Sequence, residues 1–250
     1  MNDNLFIYVL RLADDSLILS QRLSGWCYNA PFLEEDIALT NIALDYLGRS
    51  NSLYEYASSI DKRHRTPDEL AFKRDVNEFY NCLLVEQPNG HFGDTIARQF
   101  IIDAFYLILF SFLKDSSDQN ISAIAEKSIK ETTYHFRHSS KWVVRLGDGT
   151  QESHYKISHA FNNLWKYTGE LFANDSISDS LKEKKVCFCL KEIERRWISV
   201  INDILNKANI KIENNFKMEH GGRTGNHSGG FKKLLDEMQY LQRTYPDAKW

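Results

Sequence analysis

The segment ETTYHFRHSSKW, Glu131 to Trp142, would bring an acid and two imidazoles into one stripe if it were helical. Glu131, His135, His138 and Trp142 fall close to whole helical turns of one another. An acid and neutral nitrogen donors on one face are the donor types that hold a transition metal. Three other acids stand on apolar stripes. Asp15 follows Leu12 and precedes Leu19; Asp45 follows Ala38 and Ile42; Asp103 lies between Phe100 and Leu107. Four carboxylates facing one core could neutralise two cations, and open positions on such a pair activate oxygen.

The same groups could instead form a buried polar network, in which acids pair with Arg49, histidines and tyrosines. An unpaired buried charge costs several kcal/mol, so each group would need a partner. The register favours the network. No Glu-x-x-His occurs anywhere in the chain. The position three after Asp45 is Gly48, and the position three after Glu131 is Tyr134, the histidine coming one residue later. The one Asp-x-x-His, Asp61 to His64, sits in a charged stretch. Three of the four acids are aspartates, whose shorter side chains reach less far into a bundle. Arg49, four residues after Asp45, repels a cation and can neutralise that acid.

These groups need helices to carry them, and the periodicity supplies them. Only four prolines occur, each where a helix would begin or end, and the segments between follow a helical period. No strand pair with an Asn-Gly or Asp-Gly hairpin is evident, so the chain reads as all-α. Helices are expected over about 5–26, 32–59, 94–113 and 120–146, with a shorter one within 61–84. Further helices are expected over about 152–172, 180–206 and 231–243. Short joints within the first and second pairs, and a long joint between the pairs, give a ferritin-like four-helix bundle with additional C-terminal helices. We expect one domain, 1–250, with the core bundle over about 5–146 and the C-terminal helices over about 152–250.

Composition narrows the function. The chain has 250 residues, is 42% hydrophobic and carries a net charge of −3. The strongest basic cluster is Lys62 to Arg65, so no nucleic-acid partner is expected. The apolar run Ala104 to Leu113 is too short to span a bilayer, and MNDNLFIYVLRLADD lacks a signal-peptide pattern. The four cysteines include no C-x-x-C, which argues against zinc and a disulfide framework and for a reduced, cytoplasmic setting. The segment GGRTGNHSGG lacks the Gly-Lys-Ser/Thr of a phosphate loop, and a flexible loop is expected there. After it, Leu234, Leu235, Met238 and Leu241 share a helix side, followed by Tyr245 and Trp250. Such a terminal helix docks on its own bundle or caps a partner.

Three long segments carry a family resemblance: LSGWCYNAPFLEEDIALTNIALDYLGRS (Leu23 to Ser50), IKETTYHFRHSSKWVVRLGDGT (Ile129 to Thr150) and GGRTGNHSGGFKKLLDEMQYLQRTYPDAKW (Gly221 to Trp250). In order, and over nearly the whole chain, they resemble the C subunit of the bacterial phenylacetyl-CoA oxygenase (ring-1,2-epoxidase), the PaaC family. The resemblance implies a ferritin-like fold and a structural role beside a catalytic A subunit that holds the di-iron centre. It implies no cofactor in this subunit, with iron in the partner, and a tail that packs at the subunit interface or near the CoA route. On this reading no residue is catalytic. Asp15, Asp45, Asp103, Glu131 and His135 are remnant ligand positions, and Arg49 and His138 belong to a polar network. Self-association remains open. So do two other readings: a di-metal carboxylate oxygenase in its own right using those five residues, and a stand-alone helical protein with an unrelated partner.

Overall fold

A computed structural model describes residues 2–213, 216–246 and 248. Among the described residues the regular structure is helical, without a strand. The chain divides into two compact units: Met1–Pro88 with His220–Trp250, and Asn89–Glu219.

The first unit is built on α1 (Asn2–Ser24) and α2 (Leu33–Ile60). They run antiparallel. Lys62, just past α2, meets Asp3 at 2.7 Å, the Tyr54 hydroxyl donates to Asp14 at 2.6 Å, and Ser20 donates to the Ala43 carbonyl at 2.8 Å. The middle of α1 is buried on every side, from Tyr8 to Ser20. α2 buries one face only, including Leu39, Ile42, Tyr46, Leu53 and Ala57. A short α3 (Pro67–Phe72) follows. Thr66 caps it through a reciprocal bond with Glu69, and Pro67 supplies a pre-set first turn. This is the shorter helix expected within 61–84. It gives way to a single 3-10 turn at Val76–Glu78 and an irregular stretch whose backbone serves buried side chains instead.

The second unit centres on α4 (Phe92–Leu113) and α5 (Gln119–Gly147). Their antiparallel pairing is marked by Phe92 edge-on to Trp142 at 5.0 Å and Phe100 stacked on Phe136 at 5.9 Å. α4 is long and apolar enough to cross a membrane, but 83% of that stretch is buried within the fold. Its length exceeds the apolar run because Arg98, Gln99 and Asp103 interrupt the sequence pattern while remaining inside. α6 (Gln151–Trp165) and α8 (Leu190–Lys207) pack against this pair, and α7 (Ser176–Glu183) precedes α8. Buried Trp197 of α8 donates to the Ile101 carbonyl at 3.0 Å and packs on Phe172 and Trp165.

Two helices end earlier than their periodicity suggests. The helix expected over 152–172 stops at Trp165 and continues as a 3-10 turn at Thr168–Phe172. The one expected over 180–206 is broken between α7 and α8, where Lys185 takes a left-handed conformation, φ 59°. Ser116 and Ser117, in the α4–α5 turn, donate to the carbonyls of Val186, Lys185 and Lys184 there. A tertiary partner thus satisfies backbone groups that a continuous helix would have satisfied itself.

The tail returns to the first unit. A 3-10 turn at Gly222–Thr224 leads to α9 (Phe231–Met238) and α10 (Tyr240–Thr244). Leu235 and Met238 are buried, whereas Leu241 and Tyr245 are exposed; Trp250 lies outside the described residues. The GGRTGNHSGG segment is pinned rather than free. A Cβ on Gly222 would stand 2.2 Å from the Asn81 carbonyl oxygen. Gly225 has φ +82°, and a Cβ there would stand 2.3 Å from the Asn77 carbonyl oxygen. Gly222→Ala and Gly225→Ala should each cost about 2–4 kcal/mol, from backbone displacement and, at Gly225, left-handed strain. Urea unfolding checks this; unchanged midpoints would contradict the close seating of the tail.

Candidate functional site

Adjacent positions on a helix point about 100° apart, so Asp14 and Asp15 cannot share a face, yet both are fully buried. Each meets an arginine from a distant part of the first unit. Arg74 forms a two-pronged pair with Asp14, which also accepts from the Tyr54 hydroxyl and from the Tyr80 N–H at 2.7 Å. The Arg74 guanidinium lies over the Phe79 ring at 4.0 Å. Burial works against its charge, but Asp14 and Tyr54 hold its pKa above the ordinary arginine range. Burial, and then the Asp14 charge, push the Tyr54 phenol well above its usual value.

Asp15 is held by the tail. Arg223 contacts its two carboxylate oxygens at 2.7 and 3.1 Å, and the Cys82 N–H donates to it at 2.8 Å. Arg223 also donates to the carbonyls of Arg11 and Tyr80, at 3.2 and 3.1 Å. Glu86 forms a third buried centre. It accepts from His227 at 2.8 Å, the Ser228 N–H at 2.6 Å and the Asn81 amide at 3.0 Å. The other ring nitrogen of His227 faces the Phe79 carbonyl at 3.0 Å, and the ring stacks on Phe231 at 4.2 Å. Both polar neighbours of the imidazole are acceptors, so the pairing is complete when both ring nitrogens carry protons.

The remaining candidates lie on α2, on α4 and α5, and in the turn after α2. On α2, Arg49 is buried and lies over the Tyr46 ring at 4.9 Å, while Asp45 is half-buried and Gly48 exposed. In the second unit, Asp103 is buried and accepts from the Ser139 hydroxyl at 2.8 Å. His135 is fully buried, and its ring meets Tyr134 edge-on at 6.3 Å. Glu131 and His138 are half-buried at the edge of the same stripe, with His138 stacked against Tyr134. Trp142 packs on Phe92 and carries the Arg145 guanidinium at 4.9 Å. Asp61 belongs to a turn: it accepts from Arg65 at 2.8 and 3.2 Å and from the N–H groups of Arg63 and Arg65.

A di-metal centre needs several free donors around one point. Asp15 is already engaged, with an arginine on both oxygens and a backbone N–H on one. Among the described residues no three His, Cys, Asp or Glu side chains come close enough to hold an ion. What the arrangement does chemically is fasten the tail and the 74–86 stretch to α1. Sequence reasoning missed Asp14, Arg74, Glu86, Arg223 and His227. The available signal was the Asp-Asp pair inside an apolar helix, which demands two cations without saying which.

Over residues 1–250 the chain matches the family described as phenylacetic acid catabolic protein. The chain belongs to that family. It is 43% identical over 248 residues to a curated relative from Escherichia coli (strain K12), named as the C subunit of 1,2-phenylacetyl-CoA epoxidase; the match covers 99% of this chain and 100% of the relative. The resemblance carried by the three quoted segments therefore holds, and so does the all-α fold. Two of those segments coincide with structural devices described above. The family-like tail contains Arg223 and His227, and the 129–150 segment contains the Asp103 partner Ser139.

Arg223→Met would leave Asp15 buried without its cation, and should cost about 3–5 kcal/mol of stability. Adding Asp15→Asn, which removes the charge while keeping an acceptor for Cys82, should recover most of that loss; chemical denaturation of the two variants checks both steps. Asp61 gives a pH test. The Arg65 hydrogen bond, opposed by burial and aided by two backbone N–H groups, holds its pKa down to about 2, against 3.8 ordinarily. A depressed carboxyl stabilises above its unfolded pKa and loses that contribution as pH falls through the folded one. Thermal melts of Asp61→Asn should therefore lie below wild type at pH 7, with the difference shrinking between about pH 4 and 2.

Proposed function

We propose that this chain is the C subunit of a phenylacetyl-CoA ring-1,2-epoxidase, a structural component that supports a catalytic A subunit in aerobic phenylacetate degradation. The observation that carries the structural part is the Asp15–Arg223 pair at 2.7 Å. An acid on the core stripe, where a ferritin-like enzyme would set a ligand, is committed within the chain to fastening its own tail. Full-length identity to a relative named as the C subunit of such an epoxidase supports the choice of complex. On this reading the iron that activates oxygen belongs to the A subunit, and the role of this chain is to present a rigid helical surface to it. The setting is cytoplasmic.

Co-expression with the A subunit from the same source should give a stable complex on size-exclusion chromatography. Elemental analysis should find iron in the complex and no stoichiometric iron in the isolated chain. Tightly bound stoichiometric iron in the isolated chain, or failure of the two polypeptides to associate, would sink the proposal.

A further inference from the structure

α2 buries its inner face against α1 but leaves large apolar side chains outside. Leu33 is 72% exposed, Ile37 54%, Leu44 58% and Leu47 43%. At about 100° per residue, Leu33, Ile37 and Leu44 fall within about 20° of one line, with Leu47 beside it. This stripe runs about 21 Å along the helix. Gly48 sits at its edge with nothing within 4 Å of where a Cβ would be, so a bare strip of backbone faces outward. Close helix packing depends on such small contact residues.

The charges around the stripe have one sign. Glu34 and Asp36 flank opposite edges of its first turn, and Glu55 continues its line. Arg49 is the one basic residue of the 28-residue helix, and it is buried. An apolar line edged by acids fits a partner helix whose own apolar line is edged by lysines or arginines. A second copy fits poorly. A two-fold interface sets the same patch against itself, and an antiparallel pair centred on Leu44 would bring Glu34 of one copy beside Glu55 of the other.

We propose that the outer face of α2 is the surface on which the partner subunit docks, through a helix with an apolar stripe and basic edges. This rests on the subunit reading above and assigns its contact surface.

The test measures binding of the full chain to its cognate A subunit by calorimetry at low and high salt. Leu44→Glu/Leu47→Glu should weaken binding about 100-fold or more with an unchanged circular-dichroism melt. Glu34→Lys/Glu55→Lys, which alters only exposed charges, should weaken it about 10-fold and flatten its salt dependence. Tyr155→Glu, on an exposed aromatic of the other unit, should bind like wild type. Wild-type binding that the α2 variants leave within about twofold overturns the surface while leaving the subunit reading intact. Wild type that does not bind the A subunit at all overturns both. A homodimer of the isolated chain that the Leu44/Leu47 variant dissolves would mean that a second copy occupies the face, and overturns the proposal.

Discussion

Asp14 and Asp15 sit side by side in the most buried stretch of α1, and neither can remain there without a cation. Because they point in different directions, one arginine cannot serve both. Arg74 and Arg223 answer the two demands on two different faces of the helix. Bringing Arg74 in fixes the 74–80 stretch, whose Tyr80 N–H and carbonyl are drawn into the same centres. Bringing Arg223 in fixes the tail, and His227 then closes on Glu86 a turn further along. The irregular backbone of these segments is ordered by the acids it serves.

The same constraint bears on function. A carboxylate can serve as a metal ligand or be charge-compensated by a guanidinium, and the second competes with the first. Asp15 has taken the second course. In the second unit Asp103 is engaged by Ser139, and Glu131 and His138 are half-buried. The polar residues of this fold are used to hold helices and tail in place.

The helices were legible where the pattern is local. α1, α2, α4 and α5 follow apolar periodicity, and α3 begins at its Thr66–Glu69 cap. The failures came where a distant segment competes for backbone hydrogen bonds. The break before α8 is held by serines from the α4–α5 turn. The Gly-rich tail reads as mobile by composition, yet Gly222 and Gly225 are there because neighbouring carbonyls leave no room for a side chain.

Residue order alone carried the all-α class, the antiparallel helix pairs, the family, and the absence of any Glu-x-x-His register. Those depend on spacing along one helix, which the chain states explicitly. Which cation each buried acid receives emerged only in three dimensions. Asp14 and Asp15 are adjacent, but their partners lie 60 and 208 residues away. Charge pairing is set by distance in space, and nothing in the local pattern around either acid distinguishes Arg74 or Arg223 from the chain's other arginines.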